Sequence, residues 1–461
     1  MVRKISDTGI KPTTIIFGAG LAGLSAGFAL VRAGQKVVML ESSSVVGGLA
    51  RTVVRDEFRF DLGGHRFWTN NSRVEQFVRE LMEGELLTVQ RQSKIYLRDR
   101  YFDYPLKAGN AILGLGIPST LKMIAGFSLQ RLRGSLKKVS HLSLEDWVVS
   151  HFGRPMFNLY FKEYSEKVWG MKCDGISAEW VRERIKGLSL STAIKNALFK
   201  SNGNGIPTLT DKFLYPALGI GRIAEKLRER IDNDGPSSIL TNTGVKQVNH
   251  SDFRIKSIVA ENCRQTFTGK GSRYISSIPM TALVQMLHPA APDDVLEAAA
   301  NLRYRDIVIV TLAINRKRIT DQTWIYFPDQ KIPFSRIHEP TNWSREMAPQ
   351  GKTLLVAEYF CSKGDQTWRT SDEDLSELTI QNLGGLDLIK KDEVIDSLIT
   401  RIPYAYPVLE VGYRKHYDKI RSYLGRFKNL HLIGRCGMFA YHNIDHVIES
   451  GLLAAEDIIN R

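Results

Sequence analysis

The stretch Thr13-Thr14-Ile15-Ile16-Phe17-Gly18-Ala19-Gly20-Leu21-Ala22-Gly23, followed by Lys36-Val37-Val38-Met39-Leu40-Glu41, decides the fold. It reads as a strand from Thr13 to Phe17, a glycine turn, a helix to about Ala33 and a second strand from Lys36 to Leu40. Gly18, Gly20 and Gly23 have the G-x-G-x-x-G spacing. The first glycine permits a tight bend, the second lets backbone approach a pyrophosphate, and the third lets helix and strand pack closely. Amides and helix dipole at the start of such a helix favour an anion. Glu41 closes the second strand, at the offset of about 20 residues where a carboxylate accepts hydrogen bonds from ribose hydroxyls.

Outward from this unit the pattern changes twice. From about Tyr104 to Ser201 it is helical and strand-poor, with a capping box expected at Ser143 and Asp146 ahead of Trp147. After the Gly-rich run Ser201-Asn202-Gly203-Asn204-Gly205, strand-like stretches return at Ser237 to Val248, Tyr274 to Ile278, Asp306 to Ala313 and Thr353 to Phe360. Leu430 to Ile433 reads as a short strand feeding a polar loop, and Asp445 precedes a helical run from Val447 to Ile459.

Composition narrows the class. With 461 residues, 43% hydrophobic and 24% charged, the chain can bury large cores. The formal charge of +14 favours anionic ligands. Phosphorylated small molecules fit this balance, and nucleic acid is not expected, because no zinc-finger, helix-turn-helix or RNA-binding signature is present. Ala111 to Gln130, followed by Arg131, Arg133, Lys137 and Lys138, is a poor membrane span, since Lys122 and Pro118 interrupt it. It reads as two packed helices, with peripheral contact to a bilayer as the alternative. Cys173, Cys263, Cys361 and Cys436 are scattered singly, so neither a disulfide framework nor a metal site is expected. The first hydrophobic run belongs to a strand rather than a leader, and a cytoplasmic setting is expected.

Val46-Gly47-Gly48-Leu49-Ala50-Arg51-Thr52 resembles the second glycine motif of the FAD-binding superfamily that includes amine oxidases, protoporphyrinogen oxidase and UDP-galactopyranose mutase. Tyr215-Pro216 with Gly219 and Gly221, and the strand around Val245, are similar to the stretch that completes the FAD domain there. The resemblance implies an α/β fold: a Rossmann-like FAD-binding domain, an inserted helical domain and a mainly antiparallel sheet substrate domain. The expected divisions are 1–104 and 205–280 for FAD binding, 105–204 for the helical insert, 281–400 for the substrate sheet and 401–461 for the return to the FAD domain.

Four further stretches resemble UDP-galactopyranose mutases in particular. Gly63-Gly64-His65-Arg66-Phe67-Trp68-Thr69-Asn70 looks like the segment passing the flavin ring, and Tyr164-Ser165-Glu166-Lys167-Val168-Trp169-Gly170 is similar to the run whose Trp lies beside the nucleotide sugar. Ser335-Arg336-Ile337-His338-Glu339 resembles the segment whose Arg binds the substrate diphosphate, and Gly434-Arg435 with Phe439, Tyr441 and Ile444-Asp445 resembles the signature ahead of the last helix. The chain departs from the pattern where Arg184-Ile185-Lys186 stands in place of a second diphosphate-binding Arg run, and where Ile444 replaces Met. The sugar and nucleotide therefore stay open.

The resemblance implies FAD, active when reduced, with NAD(P)H as a candidate reductant. Gly18, Gly20, Gly23, Glu41, Gly47, Gly48, Arg51, Gly64, His65, Val245, Gly434, Arg435 and Asp445 would bind it. His65, Arg336 and Tyr441 would be catalytic, and Trp169, Arg336, Arg435 and Tyr406 would bind a nucleotide-diphosphate sugar, with Tyr404 a further hydroxyl donor. The implied reaction is a pyranose/furanose isomerisation without net redox change; the alternative is an oxidase or dehydrogenase on a sugar-derived or hydrophobic substrate. Plainer readings stand beside these. His65 could be a turn histidine, Trp169 a core aromatic, Arg336 the partner of Glu339, and Tyr441 and Asp445 a helix cap with its packing partner.

Overall fold

The computed structural model describes residues 4–5, 13–104, 142–184, 212–233 and 237–461. The two strands of the opening unit, Thr14–Phe17 and Val37–Leu40, are buried at every position. Continuous apolar runs of this kind belong to a parallel sheet covered on both faces. The sheet has five parallel strands in the order Ser238–Leu240, Val37–Leu40, Thr14–Phe17, Arg273–Ser276, Leu430–Leu432. Ile16 and Met39 face the helices Leu21–Arg32, Arg222–Asn233 and Ile444–Ile459. Ile15, Phe17, Val38 and Leu40 face the other way, against Val245, Val248, Ile258 and Phe267 of a second sheet. The last helix lies so close to the first that a Cβ on Gly451 would fall 2.2 Å from the Ala22 carbonyl oxygen.

A seven-stranded sheet forms the third layer, in the order Val394–Pro407, Tyr304–Ile314, Thr353–Cys361, Arg336–His338, Trp324–Tyr326, Ser93–Leu97, Arg100–Tyr104. All its pairings are antiparallel except Trp324–Tyr326 with Ser93–Leu97. Val308, Val310 and Leu312 point to one face, toward Leu375 and Leu383 of the Asp372–Gly385 helix. Ile307, Ile309, Leu354 and Val356 point to the other, toward Phe60 and Leu62. The helical unit, as far as it is described, runs from Leu144 to Arg184 around Trp147, Phe157, Trp169 and Val181.

The α/β class, the parallel sheet and the antiparallel sheet agree with expectation, and so does the capping box, where Ser143 and Asp146 cap each other's backbone. Several boundaries differ. The hairpin 93–104 belongs to the seven-stranded sheet rather than to the dinucleotide unit, because Ile95, Leu97 and Phe102 alternate inward against Tyr326 and the helical residues Leu159 and Tyr160. Ser237 to Val248 is two strands: the chain breaks at Asn242, which has a positive φ of 50°, and crosses from one sheet to the other. Gly434–Gly437 is a helical turn rather than a polar loop. The last helix starts at Ile444 with Asn443 as its cap, which puts Asp445 inside the first turn. The stretch Ala111 to Gln130, its basic tail, Lys186 and the Ser201 to Gly205 run lie outside the described residues, as does the side chain of Arg184. Among the described residues no helix is long and apolar enough to cross a membrane.

Candidate active site

Gly18, Glu41 and Gly434 each follow a parallel strand at its carboxyl end, the edge where ligands of open α/β sheets bind. The three glycines of the turn divide their work as their spacing implies. Gly18 has a φ of +94°, and a Cβ on Gly23 would lie 2.0 Å from the Gly18 carbonyl oxygen. At Gly20 a Cβ would meet only the Gly48 Cα, at 3.8 Å, so this is the glycine that borders open space. Gly47 and Gly48 also have positive φ, 103° and 58°, and the Gly47 amide donates to the Ala19 carbonyl at 2.8 Å. Glu41 is buried, and its two oxygens accept from the Ala19 and Ser43 amides at 2.8 Å each. Arg51 reaches Ser43 Oγ at 3.4 Å, and Val245 lies two residues beyond Thr243, whose amide donates to the Glu41 carbonyl at 2.7 Å. Gly434 has a φ of +72° and donates to Ser450 Oγ at 3.0 Å. Paired glycines around a side-chain-free gap and a helix N-terminus that donate to phosphate, with a strand-end carboxylate that accepts from ribose hydroxyls, are the groups a dinucleotide needs, so these residues fit FAD.

His65 and Asp445 are the next two residues expected at the site. His65 is half-buried and its Nδ1 has no hydrogen-bond partner among the described residues. Burial, then the charges of Arg435 and Arg336, push its pKa down to about 3, so the ring is neutral at working pH. At Asp445 burial works to raise the carboxyl, but His446, 3.0 Å from Oδ1, outweighs it and holds the group below its usual range.

A pocket beyond His65 gathers Trp169, Arg336, Tyr406 and Tyr441, four residues expected together from sequence. Trp169 comes from the Lys162–Trp169 helix, which follows a π-helical turn at Phe157–Phe161, a device that re-aims side chains at functional sites. Its ring meets Tyr406 and Tyr441 at 6.5 Å each, and its buried Nε1 has no hydrogen-bond partner among the described residues. Tyr406 and Tyr441 stack at 5.7 Å and 19°, with the Arg435 guanidinium 4.9 Å from the first ring and 5.8 Å from the second. Arg435 is itself held by the His442 and Ala405 carbonyls at 2.8 and 3.0 Å.

A bulge aims Tyr406 inward. Arg305 pairs with Tyr406 but Ile307 pairs with Ile402, so two extra residues loop out of the Val394–Pro407 strand. Asp306 pins the bulge by accepting the Tyr404 amide at 2.8 Å. Tyr404, with a positive φ of 57°, is exposed against Tyr304 and does not line the pocket.

Arg336 does not pair with Glu339. Its Nη2 lies 2.6 Å from Oε2 of Glu358, the residue directly opposite it on the neighbouring strand. Glu339 instead accepts from the Ile319 and Thr320 amides and from Thr353. Burial works against the charge of Arg336, but Glu358 outweighs it and keeps the guanidinium ionised. The other oxygen of Glu358 accepts the Gly64 amide at 3.0 Å, which ties the loop leading to His65 to the same carboxylate. His338, stacked on Trp343 at 5.0 Å, is held neutral by burial, Arg336 and His65.

Sequence reasoning missed Glu358, Arg305 and Lys167. Glu358 is the one charged residue in the apolar strand Thr353–Cys361, and a buried carboxylate there had to have a partner. Arg305 lines the pocket, its plane fixed by Val168 O, Ser362 Oγ and Phe360 O at 2.9, 2.8 and 3.0 Å. Burial holds it below its usual pKa.

The family described as flavin containing amine oxidoreductase matches residues 21–459. An L-amino acid oxidase, Cdc18, from Crotalus durissus cumanensis is 41% identical over 82 residues, which is 17% of this chain and 16% of that protein. The chain thus matches only a small part of the length of such relatives. In fold the chain is similar to a reduced UDP-galactopyranose mutase, with a TM-score of 0.82 at 21% identity over 98% of this chain and 94% of that one. It is also similar to wild-type putrescine oxidase bound to putrescine, with a TM-score of 0.66 at 15% identity over 98% of this chain and 100% of that one.

Proposed function

The chain belongs to the flavin containing amine oxidoreductase family, and from that premise we propose that this flavoenzyme acts on a nucleotide-linked sugar, isomerising it in the manner of a pyranose/furanose mutase. The observation that carries the reading is the charge of the pocket. Arg305 and Arg336 both line it, no acidic residue among the described residues does, and the aromatic rings of Trp169, Tyr406 and Tyr441 complete the wall. Buried guanidinium forks in such a setting suit diphosphate oxygens, and aromatic faces suit a nucleoside or sugar ring.

FAD, held along Gly18, Gly20, Gly23, Glu41, Gly47, Gly48, Arg51, Val245, Gly434 and Asp445, would supply the electron-rich centre for this chemistry once reduced by an external donor such as NAD(P)H. The chain's own residues then divide the rest. Arg336, oriented by Glu358, binds the diphosphate, and Arg435 adds positive charge from behind the stacked tyrosines. Trp169, Tyr406 and Tyr441 line the pocket, and the two tyrosine hydroxyls are the polar groups these rings would bring to substrate oxygens. His65, being neutral, presents Nδ1 as a hydrogen-bonding group without placing a cation beside the flavin.

The second reading is an oxidoreductase, favoured by the family's own description and by the likeness to putrescine oxidase. Substrate class is tested by titrating FAD-loaded protein with UDP-galactose, UDP and free galactose while following tryptophan fluorescence, with GDP and dTDP run in parallel. The nucleotides are expected to bind competitively at one site and galactose not to bind. A protein that takes up none of the nucleotides has no diphosphate pocket, and the reading falls.

A further inference from the structure

Lys167 sits in the pocket helix Lys162–Trp169, two residues before Trp169, yet its side chain leaves the pocket. Its Nζ donates to the carbonyls of Phe327, Asp329, Ile332 and Phe334 at 2.9, 2.8, 2.6 and 2.7 Å. All four belong to the one loop that joins the strand Trp324–Tyr326 to the strand Arg336–His338. An ammonium has three N–H groups and no acceptor, so the four converging carbonyls share its three donors, at least one of them bifurcated, and all four lose a partner without it. Burial pulls the ammonium's pKa down to about 7, and the charges of Asp329 and Glu163 work against that shift.

The base of this hairpin needs no such help. The Phe327 amide donates to Ser335 O and the Ser335 amide to Glu358 O, at 2.9 Å each, and the fully buried rings of Phe327 and Phe334 meet at 5.1 Å. Beyond that base, an exposed contact from Gln330 Nε2 to Glu163 O at 3.3 Å also links the loop to the helix. Lys167 is the half-buried fastener, with four carbonyls around its Nζ, between the helix that carries Trp169 and the loop that delivers Arg336.

We propose that Lys167 is a positioning residue: its ammonium clamps the 327–334 loop to the pocket helix and so sets the spacing of Trp169 and Arg336 across the pocket. It acts through the loop and touches no ligand. The consequence for binding rests on the pocket being the anion site proposed above, whereas the clamp itself does not.

The test uses FAD-loaded full-length wild type, Lys167→Met, which keeps the stem and removes the charge, and Lys167→Ala. Amide hydrogen exchange is expected to quicken at least about tenfold across 327–334 in both variants, with the parallel sheet and the flavin spectrum unchanged. UDP should bind about tenfold more weakly to both, and n-propylammonium, but not n-propanol, should restore protection and affinity to Lys167→Ala. Unchanged exchange in both variants overturns the clamp. Faster exchange with unchanged UDP affinity overturns the positioning role. Wild type that does not bind UDP brings down the nucleotide reading, and the exchange arm then still decides the clamp.

Discussion

Arg336 and Glu358 face each other across two antiparallel strands, 2.6 Å apart from Nη2 to Oε2, and the other Glu358 oxygen holds the Gly64 amide at 3.0 Å. One carboxylate therefore fixes both a pocket guanidinium and the loop that leads to His65. Removing one partner of a buried ion pair leaves the other unpaired. Glu358→Ala is expected to cost on the order of 3–5 kcal/mol of stability, and Glu358→Gln, which still accepts from Gly64, clearly less. Chemical denaturation of the FAD-loaded protein checks this; equal losses in the two variants would show that the charge plays no part.

Arg336→Ala should weaken UDP binding by about 1.5–3 kcal/mol, the worth of a charge-assisted phosphate contact, without altering the flavin spectrum. Titration calorimetry reads the effect directly. Unchanged affinity would reduce Arg336 to a structural partner of Glu358.

The glycine turn separates binding from folding. Gly20→Val puts its side chain into the gap facing Gly48, where only one atom lies within 4 Å of a new Cβ, so the protein should fold and take up no FAD. Gly23→Val must displace the Gly18 carbonyl, 2.0 Å from the new Cβ, and should compromise the fold itself. Circular dichroism and bound-flavin absorbance together distinguish the two. A yellow Gly20→Val protein would mean that FAD does not pass this turn.

Asp61 gives a pH signature. It is buried among Thr52 Oγ1, Tyr215 Oη and the Ile220 amide at 2.6, 2.7 and 3.1 Å, yet burial outweighs these donors and raises its pKa from 3.8 to about 7. Between those values the folded protein keeps a proton that the unfolded chain has released. The contribution is thus fully present below about pH 4 and is lost as pH rises through about 7, by up to about 4 kcal/mol. The stability of wild type relative to Asp61→Asn should fall across that window and level off above it; a flat difference would mean that Asp61 is ionised throughout.

What was legible in the sequence was mostly local. The glycine turn and Glu41 lie within one strand-helix-strand unit, and the role of each glycine follows from neighbours a few residues away. Trp169, Arg336 and Tyr441 were legible as motif residues and Tyr406 as a further candidate, and the four do share one pocket. What stayed hidden was pairing at a distance. Gly64 and Glu358 are 294 positions apart, Lys167 and its loop 160 to 167, and no periodicity announces either contact. The same holds for the hairpin 93–104, whose alternation shows a strand but not which sheet receives it. The break at Asn242 was missed because only two residues separate Ser238–Leu240 from Thr243–Ser251, so the two strands read as one strand-like stretch.

The proposed isomerisation leaves the electrons where they started, so the most direct measurement counts them. FAD-loaded enzyme is reduced once with dithionite, oxygen is excluded, and nucleotide-diphosphate sugars are supplied while product and flavin absorbance are followed together. Many product molecules per enzyme are expected at constant reduced-flavin absorbance, with no further reductant consumed. If instead oxidised enzyme is bleached in proportion to the substrate added, and reduced enzyme stays inert until an electron acceptor is supplied, the reaction is an oxidation and the mutase reading is contradicted.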